Sequence, residues 1–330
     1  MKTILRLTIA VFWIFLISTT NCIYGNEIFK SLTIDNGLAH TDANCIAQDS
    51  TGLMWIGTNA GLQSYDGYTL QTFDYYQEGY KIYQSHNRIN GVVSSVDKLW
   101  VGTESGLTCF DLNTHRYIPY YIKREDKSYQ PDVFVSGLCF NPSNRHLWIR
   151  GDYGLSVAEV HSDSLYFLEW ENEQTWNLCR YINNLQIRGE YVWSLVGSQI
   201  ICLGIGNGEI CALDSYKTSD LLGKEERIQA IYSTDRYLYM RSARGCYRIP
   251  FDGDKLKRGE SSYIGFHAVN PNIPEYTSGK FVVHQDSILW CAYLGGIIEI
   301  QQAFSENPIG RNHLENAKGG DLSNRKSPIY

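Results

Sequence analysis

The chain has 330 residues, with 29 Lys and Arg against 35 Asp and Glu and a formal net charge of −6. That balance argues against nucleic acid and against an anionic membrane surface as partners. Hydrophobic residues make up 43%, ordinary for a globular protein, and the 24 Tyr, 12 Phe and 8 Trp suit pleated surfaces stacked face to face.

Residues 1–25 read as a secretory signal peptide. Lys2 and Arg6 form a positive start, residues 7–17 are apolar apart from Thr8, and Ser18-Thr19-Thr20-Asn21 is a polar exit. The apolar run is too short for a spanning helix, which needs ~20 residues. Cleavage near Gly25 is the expectation. Cys22 offers a second reading, as a lipidated cysteine, but Thr19-Thr20-Asn21 is a poor approach sequence for it. Removing this segment takes away two basic residues and leaves 27 basic against 35 acidic. No second apolar stretch of spanning length follows, so the mature chain is expected to be exported without a membrane span.

Beyond the leader a phrase recurs: an apolar strand, a polar turn, a Trp-apolar-Gly-Thr strand, then Gly-Leu. Its clearest copy runs from Asn44 through Trp55-Ile56-Gly57-Thr58 to Gly61-Leu62. The aromatic anchors stand at 55, 100, 148, 193, 239 and 290, so the steps are 45, 48, 45, 46 and 51 residues. A period near 45 built of short strands is the signature of a β-propeller blade. The expected fold is therefore all-β, a propeller of four-stranded blades with six recognisable repeats plus the start of a seventh. The blades are expected near 43–75, 89–122, 133–170, 181–213, 228–266 and 281–304. Within them, fourth strands are expected at 117–122, 165–170 and 209–213. Residues 29–34 read as an extra strand ahead of the first blade, of the kind that closes a ring. Residues 305–330 read as a loop and an incomplete seventh blade, since Leu322-Ser323-Asn324 resembles Leu38-Ala39-His40. An open ring of six would leave two sheet faces uncovered, which makes a marginal fold unless 29–34 closes it.

The opening blade, from Asn36-Gly37-Leu38-Ala39-His40 through Ile46-Ala47-Gln48-Asp49 and Gly52-Leu53-Met54-Trp55-Ile56-Gly57-Thr58 to Tyr65-Asp66-Gly67-Tyr68, closely resembles the two-component regulator propeller repeat. The resemblance covers most of 27–330, strong in the first two blades and looser from the fourth, where Ser194-Leu195 replaces Gly-Thr. It implies the periplasmic sensor region of a hybrid two-component histidine kinase from Bacteroidetes. Such sensors have two seven-bladed propellers and an immunoglobulin-like domain ahead of membrane, kinase, receiver and DNA-binding parts. They detect glycan breakdown products and usually work as dimers. The resemblance thus implies an oligosaccharide ligand and a homodimer of the intact sensor. On this reading the chain is a truncated or split sensor, without its kinase.

Eight cysteines follow residue 25, mostly within expected strands and with no Cys-x-x-Cys or Cys/His zinc spacing. They are expected as free buried thiols rather than disulfides. The Trp anchors belong to the core. Trp176, in an expected loop between blades three and four, is a candidate platform for a sugar ring. On the same face the second-to-third-strand turns offer Arg150, Asp152, Tyr153 and Arg244, and the inter-blade loops offer Arg88 and Arg180. Clustered Arg would suit the carboxylate or sulfate of an acidic sugar, while the plainer reading of each one alone is a solvated surface charge or an ordinary ion pair. No catalytic motif stands out, Asp49, Asp66 and Asp111 recur at turns, and no cofactor or metal is expected. The alternatives to a sensor are a protein-binding scaffold and, less favoured, a propeller glycosidase or lyase.

Overall fold

The computed structural model describes residues 31–75, 84–118, 121–123, 134–152, 154–162, 164–182, 184–273, 279–293 and 296–313. Within them stand six sheets, each built on an up-and-down set of four antiparallel strands. Blade one is Ala43–Gln48, Met54–Thr58, Gly61–Tyr65 and Leu70–Phe73; blade two is Ile89–Ser95, Lys98–Thr103, Gly106–Asp111 and Arg116–Ile118. Blade three is Val135–Asn141, His146–Gly151, Gly154–Val160 and Ser164–Phe167; blade four is Asn184–Arg188, Tyr191–Val196, Gln199–Gly206 and Glu209–Lys217. Blade five is Ile228–Ser233, Tyr237–Ser242, Gly245–Asp252 and Ser262–Gly265; blade six is Phe281–His284, Ile288–Tyr293, Gly296–Gln301 and Ile309–Asn312. The first strand of each blade lies against that of the next, in chain order from one to six. This is the propeller arrangement that the period implies.

Turn chemistry sets the hairpins. Asp49 accepts hydrogen bonds from the Thr51 amide (2.8 Å), the Thr51 hydroxyl (2.6 Å), the Leu53 amide (3.2 Å) and the Trp55 indole (2.8 Å). Burial works against its charge, but these bonds outweigh it and hold the carboxyl below the usual range. Asp66 takes the Tyr68 and Thr69 amides beside Gly67, whose φ of +97° favours glycine. Asp111 takes those of Asn113 and Thr114. All three acids are structural, as their recurrence suggests.

The core lies between blades, not within them. Five apolar clusters are described, joining blades one to two, two to three, three to four, four to five and five to six. Each anchor aromatic points into the cluster shared with the next blade: Trp55, Trp100, Trp148, Trp193 and Tyr239 are fully buried there. The glycine two residues on allows the approach. A Cβ on Gly57 would sit 2.5 Å from Ile89 Cγ2 and 2.4 Å from Cys45 Sγ, and one on Gly102 would sit 2.4 Å from Val135 Cγ1.

Several boundaries differ from the sequence reading. Residues 31–33 are not in a strand and Ile34–Asn36 is a 3-10 turn, whereas Phe29 and Lys30 lie outside the described residues. Here turn chemistry outweighs β propensity. Asn36 Oδ1 accepts from the Thr33 amide at 3.1 Å, and Gly37 takes φ +100°. The segment then lies on blade one: Gln63 Nε2 donates to the Gly37 carbonyl, and its Oε1 accepts from the Ala39 amide, both at 2.9 Å. Blade six runs past 304, because its fourth strand is Ile309–Asn312 and not 29–34. Outer strands also pass between blades. Tyr121–Lys123 runs parallel to the fourth strand of blade three, and Glu169–Trp170 parallel to that of blade four. The suggested start of a seventh blade at 322–330 and the leader at 1–25, with Cys22, lie outside the described residues.

All eight cysteines after the leader are free, several of them fully buried. Desolvation pushes Cys45, Cys109, Cys139, Cys179, Cys202 and Cys291 up to about 12.

Candidate functional site

The turns between second and third strands and the segments between blades gather at one end of the blades. Innermost strands start at this end, and a repeated irregularity marks the start. In blades one, two, three and five the pairing of first and second strands slips by one residue, at Asn44, Asn90, Ser136 and Gln229. A bulge re-aims the extra side chain out of the ladder, and here that side chain is polar every time. Asn44 Nδ2 donates to the Ile89 carbonyl at 2.9 Å and Asn90 Nδ2 to the Val135 carbonyl at 3.3 Å, each stapling its blade to the next. In blade six the Lys280 carbonyl accepts from the Ala292 amide at 3.0 Å, which aligns Lys280 with Cys45, Gly91, Gly137 and Ala230, one position past the bulge residues.

The second departure concerns the close-approach glycine. Where blades one and two have Gly57 and Gly102, blade three has Arg150 and blade five has Arg241. Arg150 lies over Gly137, whose missing side chain leaves it room, and donates from Nε to the Ser136 hydroxyl and from Nη2 to the Ser136 carbonyl, both at 2.9 Å. Desolvation lowers its pKa. Arg241 is fully buried, donates from Nη1 to the Lys280 carbonyl at 3.1 Å and lies over the Phe266 ring at 5.4 Å. Lys280 is exposed to water, yet desolvation by the surrounding protein lowers its pKa, and the charge of Arg150 lowers it further while the Cys45 thiol acts the other way.

The residues singled out from sequence fall into three groups. Arg150 belongs to this mouth. Trp176 and Arg180 stand between blades three and four, on a short α-helix rather than the expected loop. The helix spans Glu173–Cys179, and Asn172 caps it through the Thr175 amide at 2.8 Å. Trp176 is half-buried with the Arg180 guanidinium 5.0 Å above its ring, and Arg180 passes close to Gly154 in the blade-three turn. The remaining charges are peripheral. Arg88 pairs with Glu104 at 3.0 Å on the surface, and Asp152 and Arg244 are exposed at turns. Tyr153 lies outside the described residues. Sequence reading missed Lys280, Arg241 and the polar bulge positions. The signal for the bulges was a polar residue at 44, 90, 136 and 229, keeping the period of the anchors. Among the described residues no group of His, Cys, Asp and Glu is arranged to hold a metal, and no helix is long and apolar enough to cross a membrane.

Residues 37–60, the first two strands of blade one with the turn ahead of them, match the two component regulator propeller family. A stretch of 48 residues is 40% identical to histidine kinase P4 of Formosa agariphila, covering 14% of this chain and 4% of that protein. The extracellular domain of the putative hybrid two component system BT4673 from B. thetaiotaomicron matches with a TM-score of 0.62 at 18% identity, over 87% of this chain and 38% of that one. That of BT3049 from the same organism matches at 0.56 and 18%, over 82% and 35%. Streptogramin B lyase matches at 0.56 and 14%, over 83% of this chain and 84% of the lyase. The solved structures show a common propeller fold, and the chain spans well under half the length of the two extracellular domains.

Proposed function

We propose that this chain, which carries the two component regulator propeller repeat in its first blade, is the ligand-sensing propeller of a two-component signalling system. On this reading it is exported behind residues 1–25, works in the periplasm, and responds to glycan-derived oligosaccharides without catalysing their breakdown. The observation that carries it is the match of residues 37–60 to that family on the inner strands of an intact blade. The polar mouth supports it. Rigid blades present amide, hydroxyl and guanidinium groups at one end, and the half-buried Trp176 stands between blades three and four, groups of the kinds that recognise sugar hydroxyls and rings. Signalling then needs kinase and receiver parts that six blades do not supply.

Calorimetry of the purified chain against a panel of oligosaccharides tests this reading. The expected result is saturable binding of one glycan class with no product formed. A folded chain that binds no member of the panel overturns the ligand, and turnover of any member overturns the non-enzymatic role.

A second reading, a face that docks protein or a second copy in a homodimer, has its own observation. Ile46 in blade one and Val282 in blade six are 52% and 50% exposed, and neither blade contributes to a described cluster joining six to one. Sedimentation across a concentration series separates a self-associating chain from a monomer.

A further inference from the structure

Blade five carries a pair of tyrosines in a row where blades one, four and six carry none. Tyr247 and Tyr263 stand opposite each other on its third and fourth strands, in the row of Met240, the residue after the anchor. The same row holds Gln63 and Thr72 in blade one, Ile201 and Ser215 in blade four, and Ile298 and Asn312 in blade six. The fold therefore does not need an aromatic pair there. The two ring centroids are 4.7 Å apart. Tyr247 is buried in the cluster between blades four and five, whereas Tyr263 is 47% exposed. The exposed ring is held in place from below. A Cβ on Gly245 would sit 2.7 Å from Tyr263 Cε2. Gly245 lacks the positive φ of Gly61, Gly106 and Gly154, which open the third strands of blades one to three, so here the glycine serves the close approach of the fourth strand and its ring.

The linker from blade four supplies the other groups. It leaves the short helix Thr218–Leu222 through Gly223, at φ +70°, and brings Lys224 over both rings. Lys224 Nζ lies 5.3 Å from each ring centroid and 3.8 Å from Glu226 Oε2. Tyr247 Oη donates to the same carboxylate oxygen at 3.2 Å. The Glu226 side chain is 17% exposed and that of Lys224 54%, so the carboxylate is built into the site and the ammonium is free to leave it. The charges of Glu226 and Arg244 both reach the two phenols, and that of Glu226 is the larger on each. Ring faces with a carboxylate around one ammonium is the arrangement by which proteins hold alkylammonium ions. At 3.8 Å the Nζ is held by charge and by the ring faces rather than by a hydrogen bond to Glu226, so the hold asks for no N–H.

We propose that Tyr247, Tyr263 and Glu226 form a binding site for a quaternary ammonium group, which Lys224 occupies until a ligand displaces it. The site opens at the same end of the blades as the polar mouth, and it stands apart from the glycan reading.

Calorimetry of the full chain with choline tests the site, with the uncharged tert-butyl isostere of choline as the control. Lys224→Ala removes the occupant and should bind choline about tenfold more tightly than wild type does, and more tightly than it binds the isostere. Lys255→Ala, at the exposed hairpin Lys255–Leu256, should bind as wild type does. Adding Tyr263→Ala to Lys224→Ala should abolish the gain. If that double variant melts early, Glu226→Gln added to Lys224→Ala, which keeps the side-chain size, gives the same reading. Choline bound no more tightly by Lys224→Ala than by wild type overturns the proposal. So does equal affinity for choline and its isostere, or a gain that survives in the folded double variant. A gain shared by Lys255→Ala would be an effect of net charge and overturns it as well.

Discussion

Trp148 and Trp290 hold the same place in blades three and six and live in different surroundings. Trp148 is fully buried in the cluster between blades three and four, among Leu155, Val157, Val192 and Ile201. Trp290 is half-buried, stacked on the His313 ring with centroids 5.0 Å apart, on a face where Val282 is 50% exposed. Both strands have full hydrogen-bonded neighbours on either side. The ladder is therefore equal in the two blades, and the difference is the sheet packed against the anchor. In a quasi-one-dimensional array, stability comes from the interface with the neighbour as much as from the repeat itself.

Truncation of the anchors puts this comparison at most risk. Trp148→Ala should cost ~3–5 kcal/mol, the range for emptying a packed aromatic site, and Trp290→Ala about 1–2 kcal/mol, since its site is already half wet. Urea unfolding of the two variants measures both, and equal losses would break the comparison. Gly57→Ala comes next. Its Cβ would meet Cys45 and Ile89 at under 3 Å, so overpacking of the blade one–two interface should cost roughly 1–3 kcal/mol. A variant as stable as wild type would show that the blades can part without penalty.

Asp49→Asn sharpens the comparison within the anchors. The Trp55 indole has a carboxylate partner, whereas among the described residues the indole N–H groups of Trp148 and Trp193 are buried without an acceptor. Loss of the charge should cost about 1–2 kcal/mol. The Asp49 pKa is depressed in the folded state, so its contribution is complete above 3.8 and is lost as pH falls through the folded value. The gap in melting temperature between wild type and Asp49→Asn should therefore narrow in acid. A gap that does not change with pH would mean that the carboxylate is not the stabilising form. The smallest effect is kinetic. The thiols whose pKa is raised to about 12 should not react with a disulfide reagent near pH 8 until the chain unfolds. Cys211 is only partly buried and should react first.

The fold was legible in the sequence because its signals are local. Trp55, Trp100, Trp148 and Trp193 announce second strands, Gly57 and Gly102 announce close approach, and Asp49, Asp66 and Asp111 announce turns. Where the reading failed, the competing signal was also local but weaker. Asn36 and Gly37 turn the chain where 29–34 was expected to run as a strand, and Asn172 caps a helix in a segment read as loop. The candidate site was legible only in Arg150. The bulge residues carried the period of the repeat, but a polar residue at a strand start also fits a solvated edge, and period alone does not say which way a side chain points.

The sequence by itself determined six four-stranded units in chain order, because anchor spacing, strand length and hairpin turns are set by residues within about ten positions of one another. Only the tertiary structure decided which side chains meet at the mouth. Asn44 reaches the Ile89 carbonyl 45 residues on, and Arg241 that of Lys280 39 residues on, because each blade packs its face against the next. That packing is set by side chains between the sheets rather than by any one stretch of sequence.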